Sequence, residues 1–170
     1  MKINSYGRVA DFGQVAPGEI FVARLEGRTT LCLKAYRQDH LGRHQDLLVA
    51  LDPGIEEYGD KSAVLLPSVL ESPAVFVPSH SELSYSLDWR EVGFSDRADL
   101  ESLGEIVQVD RDVFLKAGEG DPEKTGIVYV DLATGEVAEP TARGLRISIS
   151  CWSIAVGEGD ARVTVCEFPG

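Results

Sequence analysis

A period of two in the apolar residues constrains the fold of this chain more than any other feature. Residues 20–25 form an apolar run, the pair Glu26-Gly27 follows, and residues 29–36 then alternate between apolar and polar side chains. The same pattern returns over residues 127–137 and on either side of Gly157. Two such runs around a Gly-containing pair are typical of a β-hairpin. We therefore expect a mainly β protein.

The length of the chain leaves two organisations open. A chain of 170 residues suits one large β domain or two small lobes. We expect a single domain over residues 1–170, an antiparallel sandwich or partly open barrel of roughly ten short strands. The alternative is two small β-barrel lobes, residues 1–94 and 105–170, joined by a short helix over residues 95–103. A faint internal similarity between residues 12–15 and 103–106 fits the alternative, but chance and the pattern shared by all hairpins explain it at least as well as duplication does.

Local signals predict how several segments are buried or end. The unbroken apolar run 47–51 predicts a strand that is covered on both faces. Ser95 can cap a helix that acidic residues continue and Gly104 closes, which predicts the short helix over residues 95–103. The apolar runs 63–66 and 74–77 are each followed by a proline, which has no N–H to donate. We expect both runs to be edge strands or to terminate at that proline.

The longest apolar pattern, residues 145–156, changes face part of the way along. Ile147, Ile149 and Cys151 are apolar at odd positions, whereas Trp152 and Ile154 are apolar at even ones. A strand that switches faces needs a bend or a bulge at that point. The pattern predicts that this strand leaves one sheet for another near Cys151 and Trp152.

The three cysteines each lie in an apolar run. An odd number without short ligand spacing is not typical of a disulfide framework or a zinc site. We expect Cys32, Cys151 and Cys166 to be buried free thiols. A bridge between Cys151 and Cys166 across the turn at Gly157 is the alternative.

The net charge of −12 disfavours nucleic acid as a partner. Residues 1–90 carry 9 basic and 12 acidic residues, while residues 91–170 carry 7 and 16. This asymmetry predicts an acidic face that attracts a protein partner with a basic surface, or that serves solubility alone. No apolar run approaches the ~18 residues of a membrane span, and the N-terminus lacks a secretory apolar stretch, so we expect a cytoplasmic protein without a membrane partner.

Histidines offer the most distinctive chemistry in the sequence. His40 and His44 lie on a Gly-centred loop, residues 38–45, between Asp39 and Asp46. This spacing would bring two imidazoles to one metal on a helix, but a loop between strands does not ensure that they converge. We therefore predict a solvated hairpin tip and no metal site, with His80 as a third ligand only if the fold brings it alongside.

Other catalytic and binding patterns are weak. The sequence has no Gly-x-Ser-x-Gly elbow and no phosphate-binding glycine loop, and its acidic loop at residues 119–123 lacks the calcium-binding register. We predict no catalytic residue and no cofactor. The aromatic residues in polar surroundings, Tyr58, Tyr85 and Trp89, are the candidates for a binding surface together with the histidines.

These patterns favour a non-catalytic binding or protein-interaction module with an acidic C-terminal half. One alternative is a small-ligand-binding or metal-dependent hydrolytic β-barrel that uses His40, His44 and His80. The other is a structural assembly subunit that associates through its proline-bounded edge strands.

Overall fold

Most of the residues that the structure describes form strands, which confirms the mainly β prediction. The computed structural model describes residues 7–25, 27–51, 63–67, 70, 72–79, 83–88, 90, 92–95, 103–119, 126–140, 146–157 and 162–168. These residues form fourteen strands, more than expected, and one short 3-10 helix, Phe12–Gln14. The strands are β1 Gly7–Asp11, β2 Ile20–Leu25, β3 Arg28–Gln38, β4 His44–Ala50, β5 Val64–Pro67, β6 Ala74–Pro78, β7 Leu83–Leu87, β8 Val92–Ser95, β9 Ile106–Val109, β10 Asp112–Glu119, β11 Ile127–Asp131, β12 Arg146–Ile149, β13 Trp152–Val156 and β14 Val163–Phe168.

The strands form a large sheet and a small one, in a sandwich-like arrangement that is not closed into a barrel. The large sheet has eleven strands in the order β1-β6-β2-β3-β4-β5-β10-β9-β12-β8, with β11 paired to β10. The small sheet has three strands in the order β14-β13-β7. Every ladder between the described strands is antiparallel except that between β5 and β10, which is parallel.

The predicted change of sheet near Cys151 is confirmed. Strand β12 ends at Ile149 in the large sheet, and β13 begins at Trp152 in the small one. The side chains of Ile149 and Trp152 are both buried, although their positions differ by an odd number. The chain therefore switches faces between the two strands and contributes to the hydrophobic core from both sheets.

The predicted hairpins form, with one difference. Strands β2 and β3 pair from Ile20 opposite Leu33 to the turn at Gly27, whose φ of 75° favours glycine. After β11 the chain turns tightly, because Asp131 Oδ1 accepts hydrogen bonds from the backbone N–H groups of Ala133 and Thr134, at 2.8 and 2.9 Å. The returning arm is only an isolated bridge, Val137 opposite Val130, and not a full strand.

The two strands that end in proline are not edges of the sheet. Strand β5 lies between β4 and β10, and β6 lies between β1 and β2. Only the predicted termination is right, since Pro67 and Pro78 are the last residues of their strands. A proline is tolerated at a strand end because few ladder hydrogen bonds are lost there.

The predicted helix over residues 95–103 falls mostly outside the described residues, which omit 96–102. Ser95 is the last residue of β8 and pairs with Arg146. Gly104 lies in a turn with a φ of 86° and leads into β9. Among the described residues no helix is long and apolar enough to cross a membrane.

The main hydrophobic core draws on strands from both segments of the chain. It combines residues such as Leu33 and Val49 with Leu115 and Val130, all inaccessible to solvent. A second cluster lies on the other face of β2 to β6, so that β4 is buried on both sides, as its continuous apolar run predicts. The single domain and the two-lobe alternative both stay predictions, but hydrogen bonds between β5 and β10 join the proposed lobes.

The cysteines are free thiols, and the alternative of a bridge is wrong. Cys32 and Cys166 are buried, as expected, whereas Cys151 is only half-buried. The partner of Cys166 in the ladder is Ile154, so Cys151 does not face it. Burial raises the pKa of the Cys32 thiol to about 12.

Candidate functional site

The histidine loop is a hairpin tip held together by its own hydrogen bonds. Asp39 Oδ1 accepts from the backbone N–H groups of Leu41 and Arg43, at 2.8 and 2.9 Å, and Oδ2 accepts from Arg43 Nε at 2.7 Å. These hydrogen bonds, led by the one from the Arg43 backbone, lower the pKa of Asp39. The Asp39 carboxylate is therefore used to shape the turn.

The two imidazoles of this loop have different surroundings. Both are exposed, but His40 lies at the tip, whereas His44 begins β4 and stacks on Tyr36 with ring centroids 4.9 Å apart. His44 Nε2 lies 3.4 Å from the side-chain amide of Gln38. No three His, Cys, Asp or Glu side chains gather to hold a metal in the part of the chain that the structure describes. His80 lies outside that part.

Of the three aromatic candidates, only Tyr85 lies in the described part of the chain. It belongs to β7, remains 41% exposed and contacts Trp152, with ring centroids 6.2 Å apart. Tyr58 and Trp89 lie outside the described residues. The three residues therefore stay a prediction as a common surface.

The small sheet forms an open cleft where β7 ends, β13 begins and β14 ends. Its volume is about 670 Å³. Three polar side chains cross the sheet in one row, because Ser153 pairs with Ser86 on one side and with Glu167 on the other. Directly paired residues project from the same face of a sheet. The lining consists of Ser86, Leu87, Asp88, Arg90, Cys151, Trp152, Ser153, Glu167 and Phe168.

An ion pair fixes one side of the cleft. Arg90 donates to both carboxylate oxygens of Asp88, from Nε at 2.9 Å and from a terminal nitrogen at 2.7 Å. The backbone N–H of Arg90 donates to Asp88 as well, at 3.0 Å. These hydrogen bonds, with the side-chain bonds first, lower the pKa of Asp88 to about 2. Asp88 is thus ionised and already engaged by its neighbour.

Two aromatic rings join the cleft to the large sheet. Trp152 and Phe168 are nearly parallel, with centroids 4.0 Å apart, and both are buried. Trp152 Nε1 donates a hydrogen bond to the backbone carbonyl of Gly104 at 2.7 Å. The polar row therefore lies on strands whose other face is packed into the core, which limits its movement.

Sequence reasoning missed this site. The polar side chains of the row are separated by 67 and 14 positions in the sequence, Ser86 from Ser153 and Ser153 from Glu167. Only the alternation around residues 84–86 and 150–153 hinted at solvent-facing strands. Their convergence depends on the pairing of three strands, which local pattern does not reveal.

A lysine is buried on the other face of the large sheet and pairs with an exposed aspartate. Lys34 is 2% exposed, and its Nζ lies 2.8 Å from Asp46 Oδ2, 3.3 Å from the backbone carbonyl of Phe12 and 3.5 Å from the centre of the Phe12 ring. The ammonium thus has an anion, an acceptor and an aromatic face. These contacts compensate for its loss of water, so we interpret the group as part of the scaffold.

Comparison of the chain with protein-family models, with curated proteins and with solved structures gives no match.

Proposed function

We propose that the protein is a non-catalytic binding module whose cleft on the small sheet receives a basic segment of a partner protein. The observation that carries the proposal is the row formed by Ser86, Ser153 and Glu167. It presents two hydroxyl groups and one carboxylate side by side on paired strands. Hydroxyl groups can accept or donate hydrogen bonds, and the carboxylate accepts them from a guanidinium or ammonium group.

The ion pair beside the row directs a cationic group toward Glu167. Both Asp88 oxygens already accept hydrogen bonds from Arg90, whereas Glu167 is exposed. A cation that approached Asp88 would also meet the like charge of Arg90. Glu167 is therefore the carboxylate of the cleft that we expect to contact a basic side chain.

The charge of the whole chain supports the same choice of partner. Two of the three strands around the cleft, β13 and β14, belong to residues 91–170, which carry 7 basic and 16 acidic residues. An excess of one charge attracts the opposite charge over distances near the Debye length, roughly 8 Å at physiological salt. This excess would raise the rate of encounter with a basic partner.

The other functions proposed from the sequence find less support in the described residues. A metal-dependent site would need His40 and His44 to converge, but one is exposed at the tip while the other stacks on Tyr36. Assembly through proline-bounded edges would need β5 and β6 at sheet edges, and both lie between other strands.

The proposal can be tested by a titration of ¹⁵N-labelled protein with a capped peptide of alternating glycine and arginine. We expect amide resonances of residues 86–88, 151–153 and 167 to shift, and the affinity to fall with added salt. Glu167→Gln should weaken binding about 2–5-fold, the effect of about 0.5–1 kcal/mol for an exposed ion pair.

Asp110→Asn is the matched control, because Asp110 is an exposed acid in the turn between β9 and β10 and does not line the cleft. This change should leave the affinity within about twofold of the wild type, since only the long-range charge differs. Equal binding of the same peptide with glutamate in place of arginine, or shifts that lie away from the cleft, would refute the proposal.

A further inference from the structure

We infer that the described strands within residues 7–78 and those within residues 92–149 form two copies of one six-strand unit, paired about a pseudo-two-fold axis. The first copy consists of β1 to β6. The second consists of β8 to β12 and of Glu136 and Val137, which take the place of β5. Glu136 forms a β-bridge with Tyr36, and Val137 forms one with Val130. The inference concerns the origin and the pairing of the scaffold, so it is independent of the proposed function.

The central hairpins of the two copies have the same register and nearly the same anchoring residues. Ile20 pairs with Leu33 in β2 and β3, and Ile106 pairs with Leu115 in β9 and β10. Each isoleucine follows a Gly-Glu pair, and each leucine precedes a Lys-Ala pair. The two hairpins differ by four residues in length, which lie between these anchors.

The backbone around the two lysines repeats as well. Gly18 N donates to Lys34 O at 2.9 Å, and Lys34 N donates to the carbonyl of Glu19 at 2.9 Å. Gly104 N donates to Lys116 O at 2.8 Å, and Lys116 N donates to the carbonyl of Glu105 at 3.0 Å. The two glycines have φ values of 83° and 86°. Both lysine side chains are buried, which is rare for lysine.

The strands on either side of these hairpins correspond in order and in register. On one side, β4 pairs with β3 in the first copy, with Val49 opposite Leu33. In the second copy β11 pairs with β10, with Val130 opposite Leu115. On the other side, β6 pairs with β2 and β1, as β12 pairs with β9 and β8. In the first copy Phe76 lies between Val22 and Val9 on the neighbouring strands. In the second copy Ile147 lies between Gln108 and Phe94 in the same way.

Each copy gives one short segment to the other copy. Tyr36 in β3 pairs in parallel with Glu136, and Gly118 in β10 pairs in parallel with Val64. Tyr36 and Gly118 each lie two residues after the repeated lysine. The amides of Tyr36 and Gly118 donate to the carbonyls of Gly135 and Ala63, both at 2.9 Å. Such reciprocal exchange is a property of two-fold pairing and does not follow from two hairpins that happen to be similar.

Equivalent residues should meet each other at the axis, and one pair does. Arg37 and Glu119 each lie three residues after the repeated lysine, and their side chains form an ion pair at 2.8 Å. If the two units were identical, the same charged residue would stand at both positions and two like charges would meet. The opposite charges therefore stabilise the pairing of two copies that have diverged.

The structural register differs from the one that the sequence suggests. Gly104 corresponds to Gly18 and not to Gly13, because Gly104 and Gly18 each donate a backbone hydrogen bond to the carbonyl of the repeated lysine. Strands β7, β13 and β14 have no counterpart in the repeat among the described residues. The candidate cleft thus lies on an addition to the duplicated scaffold.

A charge exchange in the full-length protein tests the axis. Arg37→Glu and Glu119→Arg should each lower the melting temperature, by about 2–4 °C, because each variant places like charges in contact. The double variant should recover more than half of that loss, since a two-fold axis gives the two positions equivalent surroundings. The melting temperatures of the three variants and the wild type are measured by thermal unfolding followed by circular dichroism.

The control is the same exchange at Arg8 and Glu19, an ion pair of 3.3 Å whose members are not equivalent in the repeat. Glu19 Oε2 also accepts a hydrogen bond from Ala16 N at 2.8 Å, so arginine in its place should not restore stability. The inference is overturned if the Arg37 and Glu119 exchange recovers no more than this control. It is also overturned if neither single reversal at Arg37 or Glu119 lowers the melting temperature.

Discussion

Several carboxylate side chains of this protein hold structure close to them. Asp39 shapes the hairpin tip, Asp88 holds Arg90 at the cleft, and Asp46 neutralises the buried Lys34. The carboxylates with lowered pKa values owe them to hydrogen bonds from an arginine two or four residues later. The lowered pKa values of Asp39 and Asp88 therefore mark local structural hydrogen bonds.

Asp88→Asn should flatten the dependence of stability on acid pH. The folded pKa of Asp88 is about 2, below its ordinary value of 3.8, so its ionised form contributes stability above the higher value. This contribution is lost as the pH falls from about 4 through about 2. The melting temperature of the wild type should fall more steeply over that range than that of the variant, as measured by circular dichroism.

Arg90→Gln provides the control for this prediction, because Arg90 supplies the hydrogen bonds that lower the pKa of Asp88. It should flatten the acid dependence in the same direction but less than Asp88→Asn, because the backbone N–H of residue 90 still donates a hydrogen bond to Asp88. A wild-type profile that neither variant alters would contradict the role assigned to the pair.

At the scale of an element, the turn after β11 packs against the segment before β2. A Cβ atom on Gly135 would overlap Gly18 N and lie 2.7 Å from Lys34 O. Gly135 O accepts a hydrogen bond from Tyr36 N, and Val137 N donates one to Tyr36 O, which places Glu136 beside Tyr36. The tight turn is thus one of the points at which distant parts of the chain fix each other.

Gly135→Ala should lower the free energy of unfolding by about 2–5 kcal/mol. The new methyl group would overlap backbone atoms, and a φ of 72° is unfavourable for alanine. Gly42→Ala is the matched control, since Gly42 has a φ of 74° but nothing within 4 Å of a Cβ position. It should cost only about 1–2 kcal/mol. Equal losses in urea denaturation would show that the close packing at Gly135 is not important.

At the scale of the whole molecule, the main core is shared between the two segments of the chain. Leu33 in β3 and Leu115 in β10 are both inaccessible to solvent and belong to the same cluster. The parallel ladder between β5 and β10 adds hydrogen bonds across the same boundary. Loss of packing on one side should therefore be felt on the other.

Leu33→Ala and Leu115→Ala should each lower the free energy of unfolding by about 2–5 kcal/mol. Each variant should still unfold in one common transition. Intrinsic tryptophan fluorescence and far-ultraviolet circular dichroism should report the same midpoint in both variants, because a shared core unfolds cooperatively. Two separate transitions, of which each substitution moved only one, would instead indicate independent lobes.

The sequence alone was sufficient for the local features of this fold. The period of two predicted the β class and the hairpins, the unbroken apolar run at 47–51 predicted burial on both faces, and the change of parity at Cys151 predicted the change of sheet. Each of these depends on side chains within a few residues of one another. Their geometry follows directly from the alternation of side chains along a strand.

Only the tertiary structure decided which strands pair, and with that where the polar groups meet. The prolines did not show whether β5 and β6 are internal or edge strands, because a terminal proline fits an internal strand equally well. The row of Ser86, Ser153 and Glu167 and the contact of Arg37 with Glu119 join residues from distant parts of the chain. Pairing between distant strands is decided by the total burial and hydrogen bonding of the folded chain, which no short stretch of sequence contains.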